Sequence, residues 1–414
     1  MVILRNPTLS KNTTPRKQFR LVGGEGAIFW NELNQEVVDL SSQTVNLLFG
    51  QKHPHINAAI AEQMDKFTFV DEDFLSDIHE EAVNRIYRLI PGNLSSINIR
   101  MNDGSSAVEC AVKQAKKATG NTTVLTCEGI YLGQNTQTIN LRGWGPKREE
   151  ILIGSKEDVL FAPLPLVVNN NVVAEKRSDI FTQLENMVVQ NKDRLACILL
   201  DPVMLSYGIC AAPFLQDYLK LASRLSKEYN IPFILDESQS YGWVPENTLA
   251  KHWDLDPDAI VLAKGLAGGL PLSVCASKPE LDQLERGDAD YTHGGHPYSI
   301  AAMIATCDLI EQEENSFIEK YKLVENLLSK FCSARSNVET FGVGLIRAIQ
   351  VTKYSDLDSN IELTRYIAAE ALKKGVYIRT YNNTLGFKPP RVITNEQILS
   401  SLDLLFKVID SNLN

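Results

Sequence analysis

The sequence predicts an α/β protein built on a mostly parallel sheet. Three observations carry that expectation. Apolar runs of about five or six residues alternate with longer amphipathic segments through the middle of the chain, as buried strands alternate with crossover helices. Each run stops abruptly on polar or glycine-rich residues. The chain has 414 residues, 44% hydrophobic and 22% charged, which is ordinary for a globular protein but too long for one ordinary core.

The elements follow in order. Residues 1–45 contain GAIFWNELNQEVVDLSS, which alternates as a short meander turning at Asn34-Gln35. SSINIRM reads as a strand and precedes the helical SSAVECAVKQAKKA; TTVLTC is the next strand. LACILL precedes a helix over Phe214–Tyr229. There Phe214, Leu215, Tyr218, Leu219, Leu221, Ala222 and Leu225 fall at helical spacing, as in the crossover of a βαβ unit. IPFIL and DAIVLA complete the buried series. After about Gly294 the pattern turns helical, and it closes with mixed strands and a last helix near Glu396–Ile409. The two ends, 1–49 and 296–414, are expected to join in a smaller α+β lobe beside a large lobe at 50–295.

The net charge of −10 argues against a nucleic-acid partner. The seven cysteines are scattered and never form C-x-x-C, which fits thiols in a reducing compartment. The stretch MVILRNPTLSKNTTPRKQF is too weakly apolar for a signal peptide. The window from Asp258 to Ser277 is the most membrane-like, but Lys264 and its glycine and proline breaks mark it as core. A cytoplasmic location and no membrane partner are expected. His53-Pro54-His55 resembles a metal pair without a third ligand at usable spacing, so no metal is expected.

The residues after each strand carry the chemistry. They are Asn102-Asp103-Gly104-Ser105, then EGIYLG, Asp201-Pro202, Asp236-Glu237-Ser238-Gln239, and Lys264-Gly265. Ligands of parallel α/β sheets bind beyond the carboxyl ends of the strands. Each residue has a plainer alternative. Gly104-Ser105 could only cap a helix, or could offer free N–H groups to a phosphate. Asp236 could start a helix, or could hold a protonated ring nitrogen. Lys264 could snorkel to the surface, or could be a desolvated amine that attacks carbonyls. A phosphate site, a buried carboxylate and a buried lysine together imply pyridoxal 5'-phosphate.

At this point the chain resembles the class III (ornithine/4-aminobutyrate-type) aminotransferases, of pyridoxal-phosphate fold type I, over nearly its whole length. MNDGSSAVECAVKQAKKATG is similar to the family's phosphate-binding turn and helix, EGIYLG to its ring-stacking segment, and LDPV to its Glu-Pro-Val. ILDESQSYGW, DPDAIVLAKGLAGGLPL and YTHGGHPYS resemble its ring-nitrogen, Schiff-base and Thr-Phe-x-Gly-Asn-Pro segments. The resemblance implies a seven-stranded, mostly parallel sheet flanked by helices. It implies cofactor contacts from Gly104, Ser105, Tyr131, Asp236, Gln239 and Lys264, with Lys264 and Asp236 catalytic. It further implies a homodimer in which Thr292 reaches the neighbouring subunit's phosphate. Small-molecule amino donors and oxo acceptors are the expected partners.

Several positions depart from the family: Ser106 for Glu, Leu132 for His, Ser238 for Val, His296 for Asn, and Gly386 for the arginine that grips a substrate carboxylate. Arg391, Lys388 or Arg142 could take over that grip, and Trp144 and Phe49 could wall the pocket. An aminotransferase with an atypical substrate is the expected function. A racemase, aminomutase or decarboxylase is the alternative on the same scaffold.

Overall fold

The computed structural model describes residues 19–74, 76–143, 158–164 and 170–413. The meander is present as β1 (Leu21–Glu25), β2 (Ile28–Asn31) and β3 (Glu36–Asp39). Its turn falls where the sequence puts it. Asn34 takes a positive φ of 57°, and the Asn31 carboxamide oxygen accepts the N–H groups of Leu33 and Gln35, each at 3.0 Å. Helices α1 (Pro54–Met64) and α2 (Asp77–Leu89) lead into β4 (Ser96–Met101), α3 (Gly104–Thr119) and β5 (Thr123–Cys127). Then come β6 (Val159–Ala162), α4 (Asn170–Asn191), β7 (Leu195–Leu200), α5 (Pro213–Tyr229), β8 (Phe233–Asp236), β9 (Ala259–Leu262) and β10 (Ser273–Ser277).

The last part of the chain is α6 (Pro297–Gln312), α7 (Glu314–Ser333), β11 (Val338–Val343), β12 (Ile346–Val351) and α8 (Leu357–Lys373). It ends with β13 (Val376–Tyr377), β14 (Arg379–Tyr381), β15 (Thr384–Phe387) and α9 (Asn395–Leu413). β13 pairs in parallel with β3, so residues from the two ends of the chain share one sheet. β11, β12, β15 and β14 form a separate antiparallel sheet.

The central sheet has seven strands in the order β4-β10-β9-β8-β7-β5-β6. The β9-β8-β7-β5-β6 part is parallel throughout. β7, β8 and β9 are buried at every residue, which is why they read as unbroken apolar runs. β10 is antiparallel to both neighbours. A parallel return needs a crossover of a dozen or more residues, and segment 263–272 is too short for one. The sequence patterning shows neither this reversal nor β6.

α5 behaves as its periodicity predicts. Pro213 opens it, and Asn230 ends it in a left-handed conformation. Phe214, Leu215, Tyr218, Leu219, Ala222 and Leu225 are buried, and Leu221 is half-buried at the edge of that face. The helix packs on β7, β8 and α4, while α3 packs on β7, β9 and β10. These contacts fix the carboxyl ends of the strands, where the polar residues collect.

Candidate active site

A cavity of about 350 Å³ lies beyond the carboxyl ends of β4, β8 and β9. Gly104, Ser105, Tyr131, Asp236 and Lys264 all line it, although they are spread over more than 150 residues of sequence.

Asp103 caps α3. Its Oδ1 accepts the Ser106 N–H at 3.1 Å and its Oδ2 accepts the Ser106 hydroxyl at 3.0 Å. Ser106, in place of the family's glutamate, is thus a capping partner. The capped end leaves the first N–H groups of this 16-residue helix beside the cavity, a position that favours an anion. Ser105 Oγ accepts the Gln134 N–H at 3.1 Å, and the Gln134 amide donates to the Tyr131 hydroxyl at 2.7 Å. The phosphate-type turn and the aromatic ring are therefore tied to each other. Arg142 lies with its guanidinium 5.8 Å from the Tyr131 ring centroid.

Asp236 ends β8, and its Oδ1 accepts the Ser238 N–H at 3.0 Å. Burial pushes its carboxyl up, against the opposing charge of Lys264. Asp201, after β7, is also buried. Its Oδ1 accepts the Val203 N–H at 2.8 Å, and its pKa is pushed up to about 6 by burial and by neighbouring Asp236.

Lys264 follows β9 with φ +47°, at the start of a short 3₁₀ turn. It is half-buried and faces the cavity, which is more open than the fully dry site its buried strand suggests. Gly265 is required beside it: a Cβ there would lie 2.5 Å from the Trp243 ring.

The other predicted residues divide. Gln239 is buried behind the cavity wall and donates its amide to Asp201 Oδ2 at 2.8 Å. Thr292 is exposed on a turn and does not line the cavity. Trp144 lies outside the described residues. Arg391 does not line this cavity. It is 2% exposed, donates to the carbonyl of Gly242 at 3.3 Å, and lies over Phe317 at 4.3 Å and Phe49 at 5.5 Å. Phe49 is likewise core, 1% exposed.

Gly386 lies in β15 opposite Arg379. A Cβ there would meet the Tyr381 ring at 2.7 Å and Leu205 at 3.5 Å. The Tyr381 ring therefore occupies the space that a side chain at position 386 would enter. Sequence reading also misses Asn46 and Leu270-Pro271-Leu272 in the lining, while Asn102 lines it at the strand end where the sequence puts it. Asn46 comes from the N-terminal segment, where no motif marks it.

The cavity fits pyridoxal phosphate on its own geometry. Ser238 Oγ is a buried polar atom of the lining with no hydrogen-bond partner among the described residues. Gly104 forms a close cradle, since a Cβ there would lie 3.3 Å from Ala263 and 3.4 Å from Ser238 Oγ. A helix N-terminus, a buried carboxylate and an amine face the same space.

Known proteins agree. The family described as aminotransferase class III matches residues 10–409. The acetylornithine aminotransferase of Methanopyrus kandleri is 28% identical over 82% of this chain and 82% of its own length. The ornithine aminotransferase of Staphylococcus carnosus is 29% identical over 87% and 86%. Among solved structures, the taurine:2-oxoglutarate aminotransferase of Bifidobacterium kashiwanohense, in complex with PLP and glutamate, superposes with a TM-score of 0.86 at 22% identity, over 96% of this chain and 94% of that one. A transaminase from the marine bacterium Virgibacillus does so at 0.87 and 20%, over 99% and 97%. The chain belongs to the class III aminotransferases and is a pyridoxal-phosphate-dependent aminotransferase with their fold.

Proposed function

We propose that Lys264 is the catalytic lysine, that Asp236 holds the cofactor's ring nitrogen, and that Gly104 and Ser105 at the start of α3 cradle its phosphate. The observation that carries this is the meeting of all four with Tyr131 in one cavity. When bound, pyridoxal phosphate supplies an electron-accepting ring that stabilises negative charge on the donor's carbon. Asp236 favours a protonated ring nitrogen by its negative charge. Tyr131, held by Gln134, presents an aromatic face. Lys264 Nζ is the one amine in the described lining and serves as the base that takes the donor's proton and returns it.

The substrate is atypical for the family. Lys264 is the one cation in the described lining, and the neutral Asn46, Leu270, Pro271 and Leu272 form part of its wall. With Tyr381 in the space that a side chain at position 386 would enter, a donor with a neutral far end fits better than a dicarboxylate.

The protein acts as a homodimer with Thr292 directed to the partner's cofactor. Supporting this, Thr292 and His293 are exposed, and His293 packs edge-on at 6.1 Å against Phe69, which is 43% exposed. The two-lobe division, 50–295 against 1–49 with 296–414, is supported by the β3–β13 pairing. All seven cysteines are buried and free, which fits a reducing cytoplasm. No helix among the described residues is long and apolar enough to cross a membrane.

The test mixes cofactor-loaded protein with primary amines bearing neutral tails and with glutamate. Amines are expected to discharge the cofactor's visible band with release of a carbonyl product. Isotope exchange at the substrate carbon without that product would contradict transamination.

A further inference from the structure

Segment Lys388–Arg391 follows β15 and grips the loop that follows β8. Lys388 Nζ donates to the Gln239 carbonyl. Trp243 Nε1 donates back to the Pro389 carbonyl at 2.9 Å, and Arg391 holds the Gly242 carbonyl. Lys388 is 1% exposed, with Nζ 4.2 Å from the Trp243 ring centroid. Burial, reinforced by the charge of Lys264, drives its pKa well below the usual lysine range; Cys210, Asp201 and Glu237 are the other ionisable groups that act on it.

Such a lysine is costly for the fold, and a methionine would fill similar space without desolvating an amine. What the lysine adds is a donor to the Gln239 carbonyl. Gln239 in turn places its amide on Asp201, which is electrostatically coupled to Asp236 in the cavity wall. Lys388 itself does not line the cavity.

We infer that Lys388 is a positioning residue: by holding the Gln239 carbonyl it fixes the Gln239 amide on Asp201, and through that pair it sets the surroundings of Asp236 and of the cofactor. The inference rests on the cofactor site proposed above.

The test titrates pyridoxal phosphate into wild type, Lys388→Met, Gln239→Leu and the double variant. It records cofactor affinity, the pH midpoint of the cofactor's visible band, and thermal unfolding of the cofactor-free proteins. Each single variant is expected to bind about tenfold more weakly and to move the midpoint in the same direction. The double variant is expected to be no worse than the worse single, because both act on one pair. An unchanged affinity and midpoint in Lys388→Met, or fully additive effects, would overturn the inference. If Lys388→Met does not fold, Gln239→Leu decides alone, and a wild-type midpoint there overturns it. A wild type that gains no band would refute the cofactor site itself, and the inference with it.

Discussion

Replacing Lys264 with alanine lowers turnover at least about a thousandfold, the scale at which a positioned acid/base acts. The variant still folds and keeps the phosphate cradle. Lys264 is half-buried and its side chain faces a cavity, so truncation removes little core packing. Alanine keeps the Cβ, so the left-handed backbone at φ +47° is no more strained than before. No other lysine lines the described cavity, so none stands ready to replace it. Half-reaction rates and thermal unfolding, measured together, check this. A variant within tenfold of wild type and equally stable would show that the proton is carried by another group.

Gly386→Arg does not restore the carboxylate grip. The new side chain enters space held by the Tyr381 ring, 2.7 Å from the position of its Cβ, in a fully buried strand. Overpacking alone costs about 1–3 kcal/mol, and a guanidinium without a partner raises the cost further. A loss of about 3 kcal/mol or more in urea unfolding is expected, with no gain in turnover of glutamate. Tyr381→Ala combined with Gly386→Arg recovers part of the stability, because the ring is the obstacle. A single variant as stable as wild type that accepts dicarboxylates would show that Tyr381 yields, and that the family's recognition is one residue away.

Most of the sheet is legible from short-range pattern. β7, β8 and β9 are covered on both faces and so are continuously apolar, and α5 has one buried face. β10 is not legible as a reversal, because its direction is set by the length of segment 263–272 and not by its own composition. In the site, the residues at strand ends are legible because the chain must place them there once the strands form. Lys264, Asp236 and Gly104-Ser105 meet for that reason. Arg391 shows the limit. Its charge suggests a ligand, but whether a cation faces a cavity or stacks on Phe49 and Phe317 depends on packing between segments distant in sequence. Gly386 is the converse: an absent side chain whose place is filled by Tyr381, five residues earlier across a hairpin.

Lys264, proposed above as the catalytic lysine, is the residue expected to bind the cofactor covalently. Borohydride reduction of the cofactor-loaded protein, followed by peptide mass mapping, tests it directly. One reduced cofactor adduct per chain, on Lys264, is the expected result. An adduct on Lys388 or any other lysine, or none at all, would contradict it.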